Sequence, residues 1–122
     1  MGKKEDGRVR QWFVGVYGSL RRDQHNHGYM QGEFVQNDVI NGRLGKIAVK
    51  DGFLPAIRLD GDTEYVDVEI FRVSLDELEL LDRFEHNNRV YKRKLVRPYY
   101  FDGRIWVYEY MFEKYIVFEG KR

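Results

Sequence analysis

Two short stretches of the sequence carry residue types that could bind and transform a small ligand. The first is Val14–Arg21, sequence VGVYGSLR, in which an apolar, β-branched segment ends in a glycine-containing loop. A buried strand that ends in this way turns successive backbone N–H groups outward, and such amides form a positively polarised concavity that suits a small anion. Residues 17–20, the amide loop, are therefore the first place where we expect a ligand to bind.

The second stretch ends in a carboxylate, Glu85, that helical periodicity places among apolar side chains. Ser74 and Glu77 form a capping-box pattern, so a helix is predicted to follow Ser74. At 100° per residue, Glu85 lies at about 280°, between Leu81 at about 240° and Leu78 at about 300°. Desolvation and the negative end of the helix dipole both disfavour a charged carboxylate there. The pKa of Glu85 should rise, which would suit a general acid or base near neutral pH.

The same pattern allows a second interpretation of this carboxylate. If the helix ends by Arg83 or Phe84, Glu85 becomes a solvated loop residue ahead of Asn87 and Asn88, which are typical of a helix terminator. A Glu85 that faces the amide loop would indicate an enzyme. A Glu85 that faces bulk water would indicate a binding module without turnover.

Short strands and one helix must position these groups. Runs of β-branched and aromatic residues predict strands at 11–17, 32–40, 43–49, 64–73, 91–100, 105–112 and 115–118. Pro55 makes the segment 53–59 irregular or an edge strand. Asn41-Gly42 is a strong turn signal, and a helical turn is predicted near 26–30. The pattern predicts an α+β fold, a small mixed β-barrel with one main helix and short flanking helices.

Length and charge limit the classes of protein to which the chain can belong. Its 122 residues indicate one domain, at 11–122, after a solvated tail at 1–10. With 21 basic and 20 acidic residues the formal charge is +1, which argues against wholesale binding to nucleic acid or an anionic membrane. There is no cysteine, so disulfides, thiolate zinc sites and cysteine nucleophiles are excluded.

Hydropathy indicates a soluble protein. No apolar run approaches the roughly 20 residues that a membrane-spanning helix needs. The first residues lack the apolar segment of a secretory signal. We therefore expect a cytoplasmic monomer or small homo-oligomer.

Other patterns compete with the two stretches. His25 and His27, with Asp23 and a remote His86, could suggest a metal site, but they fall in a predicted loop without further ligands at defined spacing. Ser19 could pair with a histidine as a nucleophile, but the G-x-S-x-G pattern is absent. The basic, aromatic segment 91–100 resembles a single-strand nucleic-acid surface. The balanced net charge weakens that interpretation, and its alternation is more typical of a sheet with one wet face.

The chain resembles the γ-glutamylcyclotransferase-like family, especially the branch that contains the γ-glutamylamine cyclotransferases. The resemblance covers residues 11–112 and depends on motifs in the family's order and spacing. These are VYGSLRR at 16–22 with Asn26 and His27, LPA at 54–56, the strand at 66–73, LDRFE at 81–85, and Tyr91 with Lys92 and Arg93.

The resemblance implies both a fold and an activity. Similar proteins have a small mixed β-barrel with flanking helices and convert a γ-glutamyl amine or peptide to 5-oxoproline and a free amine. Glu85 would be the catalytic acid/base, and either pocket tyrosine could orient it through a hydroxyl hydrogen bond. The residues that would bind the substrate are Tyr17, Gly18, Ser19, Leu20, Tyr91 and Tyr108.

The implied partner is a small-molecule γ-glutamyl substrate, without nucleic acid or membrane. The implied reaction needs no metal, nucleotide cofactor or protein nucleophile, because the substrate's own amine is the nucleophile. The alternative is a non-catalytic small-molecule or partner-binding module that retains the substrate-binding loop.

Overall fold

Eight strands and one α-helix make up the part of the chain that the computed structural model describes, residues 11–61 and 64–118. The predicted tail at 1–10 lies outside these residues. Short 3-10 turns occupy His27–Tyr29 and Glu113–Tyr115. The elements are β1 (Trp12–Val16), β2 (Glu33–Asn41), β3 (Arg43–Val49), β4 (Gly52–Arg58), β5 (Tyr65–Val73), α1 (Leu75–Phe84), β6 (Tyr91–Val96), β7 (Ile105–Tyr110) and β8 (Val117–Phe118).

The strands form two sheets. A five-stranded sheet has the order β2-β5-β1-β7-β6, with β1 and β7 parallel and the other neighbours antiparallel, and a three-stranded sheet has the order β4-β3-β8. The fold is α+β with mixed strands, but the predicted barrel is not closed. The predicted Asn41-Gly42 turn does not join paired strands, because β2 and β3 belong to different sheets. Gly42 is buried there, and its amide donates to the carbonyl of Glu64 at 3.1 Å.

Strand β1 is the central strand of the five-stranded sheet and is covered on both faces. Val14 and Val16 belong to an apolar cluster with Leu78 of α1, whereas Phe13 packs on a second apolar cluster that includes Ile70 and Val107. β4 lies at an edge of its sheet, as the proline in it predicted. The amide loop therefore leaves the sheet from a rigid strand.

Helix α1 begins as its capping pattern predicts. Ser74 Oγ accepts a hydrogen bond from the Glu77 amide at 3.1 Å, and Glu77 Oε1 accepts one from the Ser74 amide at 2.8 Å. Leu78 and Leu81 are fully buried against the sheet. Within the described residues, no helix is long and apolar enough to cross a membrane.

Candidate active site

A cavity of about 250 Å³ opens where β1 ends, between the amide loop, the C-terminus of α1 and strands β4 and β6. Every residue that the sequence singled out as a site residue lines it: Tyr17, Gly18, Ser19, Leu20, Glu85, Tyr91 and Tyr108. Leu54 and Pro55 of β4 add an apolar wall. The cavity lies somewhat below the roughly 300–1,000 Å³ of sites for drug-sized ligands, so it suits a small metabolite group.

The amide loop is held in a tight turn against β4. A Cβ added at Gly18 would lie 2.6 Å from Pro55 Cγ, so only glycine allows this close approach. Asn26 holds the loop from the other side. Its backbone amide donates to Ser19 O at 3.0 Å, and its Nδ2 donates to Ser19 Oγ at 2.9 Å. Residues 11–61 and 64–118 provide no acceptor for the backbone amides of Ser19 and Leu20. These two donors remain available to an anion.

The observed position of Glu85 agrees in part with each of the two interpretations that the sequence allowed. The helix ends at Phe84, as the second interpretation predicted, but the Glu85 amide still donates to Leu81 O at 2.9 Å and so continues the helical path. Its side chain consequently lies in the cavity with the amide loop rather than in bulk water. Desolvation raises the pKa of Glu85 from 4.5 to about 7.

The hydroxyl groups of the three cavity tyrosines donate hydrogen bonds to other residues of the protein. Tyr17 Oη donates to the carbonyl oxygen of Tyr108 at 2.6 Å, Tyr91 Oη to that of Pro55 at 3.0 Å, and Tyr108 Oη to Asp82 Oδ1 at 2.6 Å. The expectation that Tyr91 or Tyr108 orients Glu85 through a hydroxyl bond is therefore wrong, because each hydroxyl proton already has another acceptor.

The same three hydroxyls remain protonated at neutral pH. Burial is the main cause of the raised pKa of Tyr17, Tyr91 and Tyr108, and the negative charge of Glu85 adds to it in each case. The three tyrosines therefore add no charge to the cavity, whose other ionisable lining residues are Glu85 and His86.

An ion pair behind the cavity was missed by the sequence analysis. Asp82 accepts two hydrogen bonds from the guanidinium of Arg93, at 2.9 and 3.0 Å, and Arg93 also stacks over Trp106 at 4.4 Å. A signal for it existed, because Asp82 lies three residues before Glu85 and so projects from a similar face of α1. The pair anchors the C-terminal end of α1 to β6.

We expect Asp82→Asn to lower the free energy of unfolding by about 2 kcal/mol, since it removes the charge that pairs with Arg93 and replaces the Oδ2 acceptor of one guanidinium hydrogen bond with an NH2 donor. Urea unfolding measures the loss. The matched control is Glu33→Gln, whose pair with Arg72 is exposed and should contribute under about 1 kcal/mol. Equal losses in the two variants would contradict this account of the Asp82 ion pair.

The competing patterns do not assemble into sites. Ser19 Oγ is bonded by Asn26 rather than by a histidine, and His27 Nδ1 lies 2.9 Å from Leu20 O. In the two described ranges, no group of three or more His, Asp or Glu side chains could hold a metal ion. Arg93 of the basic strand is turned to Asp82 and Trp106 rather than to a free surface.

Comparison with known proteins identifies the class. The model of the gamma-glutamyl cyclotransferase, AIG2-like family matches residues 14–120. The chain therefore belongs to the gamma-glutamyl cyclotransferase, AIG2-like family, as its motifs predicted. No curated protein sequence matches the chain.

Solved structures share the fold. An AIG2-like protein from Mus musculus superposes with a TM-score of 0.74 at 21% identity, over 90% of this chain and 86% of that one. A gamma-glutamyl cyclotransferase superposes with a TM-score of 0.73 at 13% identity, over 89% of this chain and 70% of that one. The uncharacterized protein PH0828 from Pyrococcus horikoshii superposes with a TM-score of 0.61 at 22% identity, over 81% of this chain and 77% of that one. At these identities the likeness establishes the fold alone.

Proposed function

We propose that this protein is a cofactor-free cyclotransferase that converts a γ-glutamyl amine or peptide to 5-oxoproline and a free amine. One observation carries the proposal: Glu85, with a pKa of about 7, shares a single cavity with the amide loop. An anion-binding loop and an acid/base near neutral pH are what this reaction requires, and membership of the family supports the assignment.

In this proposal the amide loop binds the α-carboxylate of the γ-glutamyl group. The free amides of Ser19 and Leu20 are donors for a carboxylate, and they lie at the rim of a rigid strand. With the α-carboxylate held there, the flexible glutamyl chain can fold back inside the small cavity. Such orientation for an intramolecular attack can supply about 7–11 kcal/mol of the barrier.

In this proposal Glu85 acts first as a base and then as an acid. As a carboxylate it removes a proton from the substrate's α-ammonium, because only the neutral amine is nucleophilic. The amine attacks the γ-carbonyl carbon, and the protonated Glu85 delivers its proton to the departing nitrogen as the C–N bond to the leaving amine breaks. The regenerated carboxylate takes the second proton from the ring nitrogen, which becomes the amide N–H of 5-oxoproline, and this proton passes to the released amine. A carboxyl with a pKa of about 7 can serve as base and as acid in one cycle.

The alternative of a binding module that retains the loop is less well supported by the geometry. A binding site could use a carboxylate to pair with the α-ammonium, but that role favours an ionised group, whereas burial raises the pKa of Glu85 to about 7 and no hydrogen bond within the described residues holds its charged form. A buried carboxylate of this kind costs stability and is typical of a catalytic acid or base.

The close packing of the amide loop gives a direct test of substrate binding. We expect Gly18→Val to raise KM at least tenfold, because its side chain would displace Pro55 and open the loop. Gly28→Ala is the matched control, since a Cβ there meets nothing within 4 Å. Steady-state kinetics on both variants measures the effect, and an unchanged KM in Gly18→Val would remove the loop from substrate binding.

The decisive experiment is a substrate panel assayed for 5-oxoproline. Purified protein is incubated with a γ-glutamyl-amino acid, ε-(γ-glutamyl)lysine and glutathione, and the product is quantified by chromatography. Time-dependent release of 5-oxoproline from at least one compound supports the proposal. Binding of these compounds by calorimetry without any release would instead establish the binding module.

A further inference from the structure

Glu85 caps α1 at the point where the chain turns sharply towards β6. The backbone amides of His86 and Asn87 bond back to carbonyl oxygens in the last turn of the helix, at 3.2 and 2.9 Å. These two bonds form a Schellman motif, in which the residue after the cap is left-handed and is usually glycine. Here that residue is His86, with a φ of 52°, and Asn88 follows with a φ of 71°.

Two left-handed residues that carry a Cβ make this turn unfavourable by itself. Asparagine and histidine adopt this conformation more often than other residues that carry a Cβ, but less readily than glycine. Such backbone persists only where the surrounding contacts over-determine it. The turn after Glu85 therefore depends on bonds to its neighbours.

Asn87 supplies the side-chain bond that joins this turn to β6. Its Oδ1 accepts from the backbone amide of Arg93 at 2.9 Å, while its own amide is bonded to α1. The Asn88 amide adds a backbone bond to Tyr91 O at 2.7 Å. Within residues 64–118, neither His86 nor Asn88 makes a side-chain hydrogen bond that could replace the one from Asn87.

The Glu85 carboxylate has no direct hydrogen bond or ion pair within the described residues, so its placement depends on the backbone that carries it. We propose that Asn87 is a positioning residue, whose hydrogen bond to β6 fixes the turn after α1 and thereby holds Glu85 towards the amide loop. The kinetic test of this inference rests on the proposed function. It concerns a residue outside the cavity wall, which touches neither ligand nor reacting atoms.

The test compares Asn87→Ala with Asn87→Asp. We expect Asn87→Ala to lower kcat tenfold or more with KM within about twofold, because it misplaces Glu85 and leaves the amide loop intact. Asn87→Asp keeps an acceptor oxygen for the Arg93 amide, so most of kcat should return. Ser74→Ala is the control for lost stability alone, because it removes the cap at the opposite end of the same helix and should leave kcat unchanged.

A second readout does not depend on turnover. The carboxyl carbon of Glu85 is followed by NMR as a function of pH in the wild type and in Asn87→Ala. The ionisable side chains that line the cavity with Glu85 are His86 and Tyr17, Tyr91 and Tyr108, of which the tyrosines stay protonated at neutral pH, and the Asp82–Arg93 ion pair lies behind the cavity. These groups are the same in the wild type and in Asn87→Ala, so the difference between the two titrations reports how much water reaches Glu85. We expect the midpoint to move from about 7 towards 4.5 in Asn87→Ala.

Each outcome decides the proposal. A tenfold fall in kcat with a lowered midpoint, both reversed in Asn87→Asp, supports it. A kcat loss no larger than that of Ser74→Ala, an unchanged midpoint, or an equal defect in Asn87→Asp overturns it. If the wild type releases no 5-oxoproline, the proposed function fails and the NMR titration alone decides whether Asn87 positions Glu85.

Discussion

Glu85→Gln should lower kcat about 10²–10⁴-fold, the range that general acid–base catalysis contributes. Glutamine matches the shape of the side chain but neither accepts the proton from the α-ammonium nor delivers one to the leaving amine. KM should change little, because the amide loop supplies the binding contacts. The rate of 5-oxoproline formation under saturating substrate measures the effect.

The matched control is Glu79→Gln, which removes an exposed carboxylate from the same helix and should retain the wild-type rate. Circular dichroism and thermal unfolding establish that both variants are folded. Formation of 5-oxoproline by Glu85→Gln at the rate of the wild type would refute the proposed acid/base role.

The second large effect is on stability as a function of pH. The pKa of Glu85 in the folded protein is about 7 against an ordinary 4.5, so between these values the folded state binds its proton more tightly than the unfolded state does. Raising the pH through this window therefore destabilises the fold. The penalty is absent below pH 4.5 and complete above about pH 7, where it is on the order of 3 kcal/mol.

Glu85→Gln isolates this contribution because glutamine stays neutral throughout. We expect the variant to gain stability over the wild type as pH rises from 4.5 to about 7, with a constant difference above that. Urea unfolding of both proteins at a series of pH values gives the difference, in which the other titrating groups cancel. A difference that is the same at both ends of the window would show that Glu85 titrates normally.

These predictions concern Glu85, for which the local sequence allowed two interpretations. The capping box at Ser74 and the leucine spacing are local patterns, so they located α1 correctly from the chain alone. The helix end is harder to predict, because it depends on contacts made beyond the helix. Glu85 follows the last helical residue and still faces the cavity, an outcome that neither interpretation of the sequence contained in full.

The sequence was less informative about long-range pairing. Asn41-Gly42 has the composition of a hairpin turn, but β2 pairs with β5 and β3 with β4, so the two residues link separate sheets. Pairing partners are chosen by which faces can be buried together, and a turn signal carries no such information. The predicted barrel is likewise not closed, since the strands divide into two sheets.

The sequence by itself determined the residue types of the site and their order along the chain: an amide-rich loop after a buried strand and an acid at the end of an amphipathic helix. Only the tertiary structure decided that they share one cavity and that the tyrosine hydroxyls bond elsewhere. It also brought Asp82, Asn87 and Arg93 together behind the acid. Side-chain chemistry is encoded locally, whereas desolvation and hydrogen-bond partners depend on groups distant in sequence that folding brings into contact.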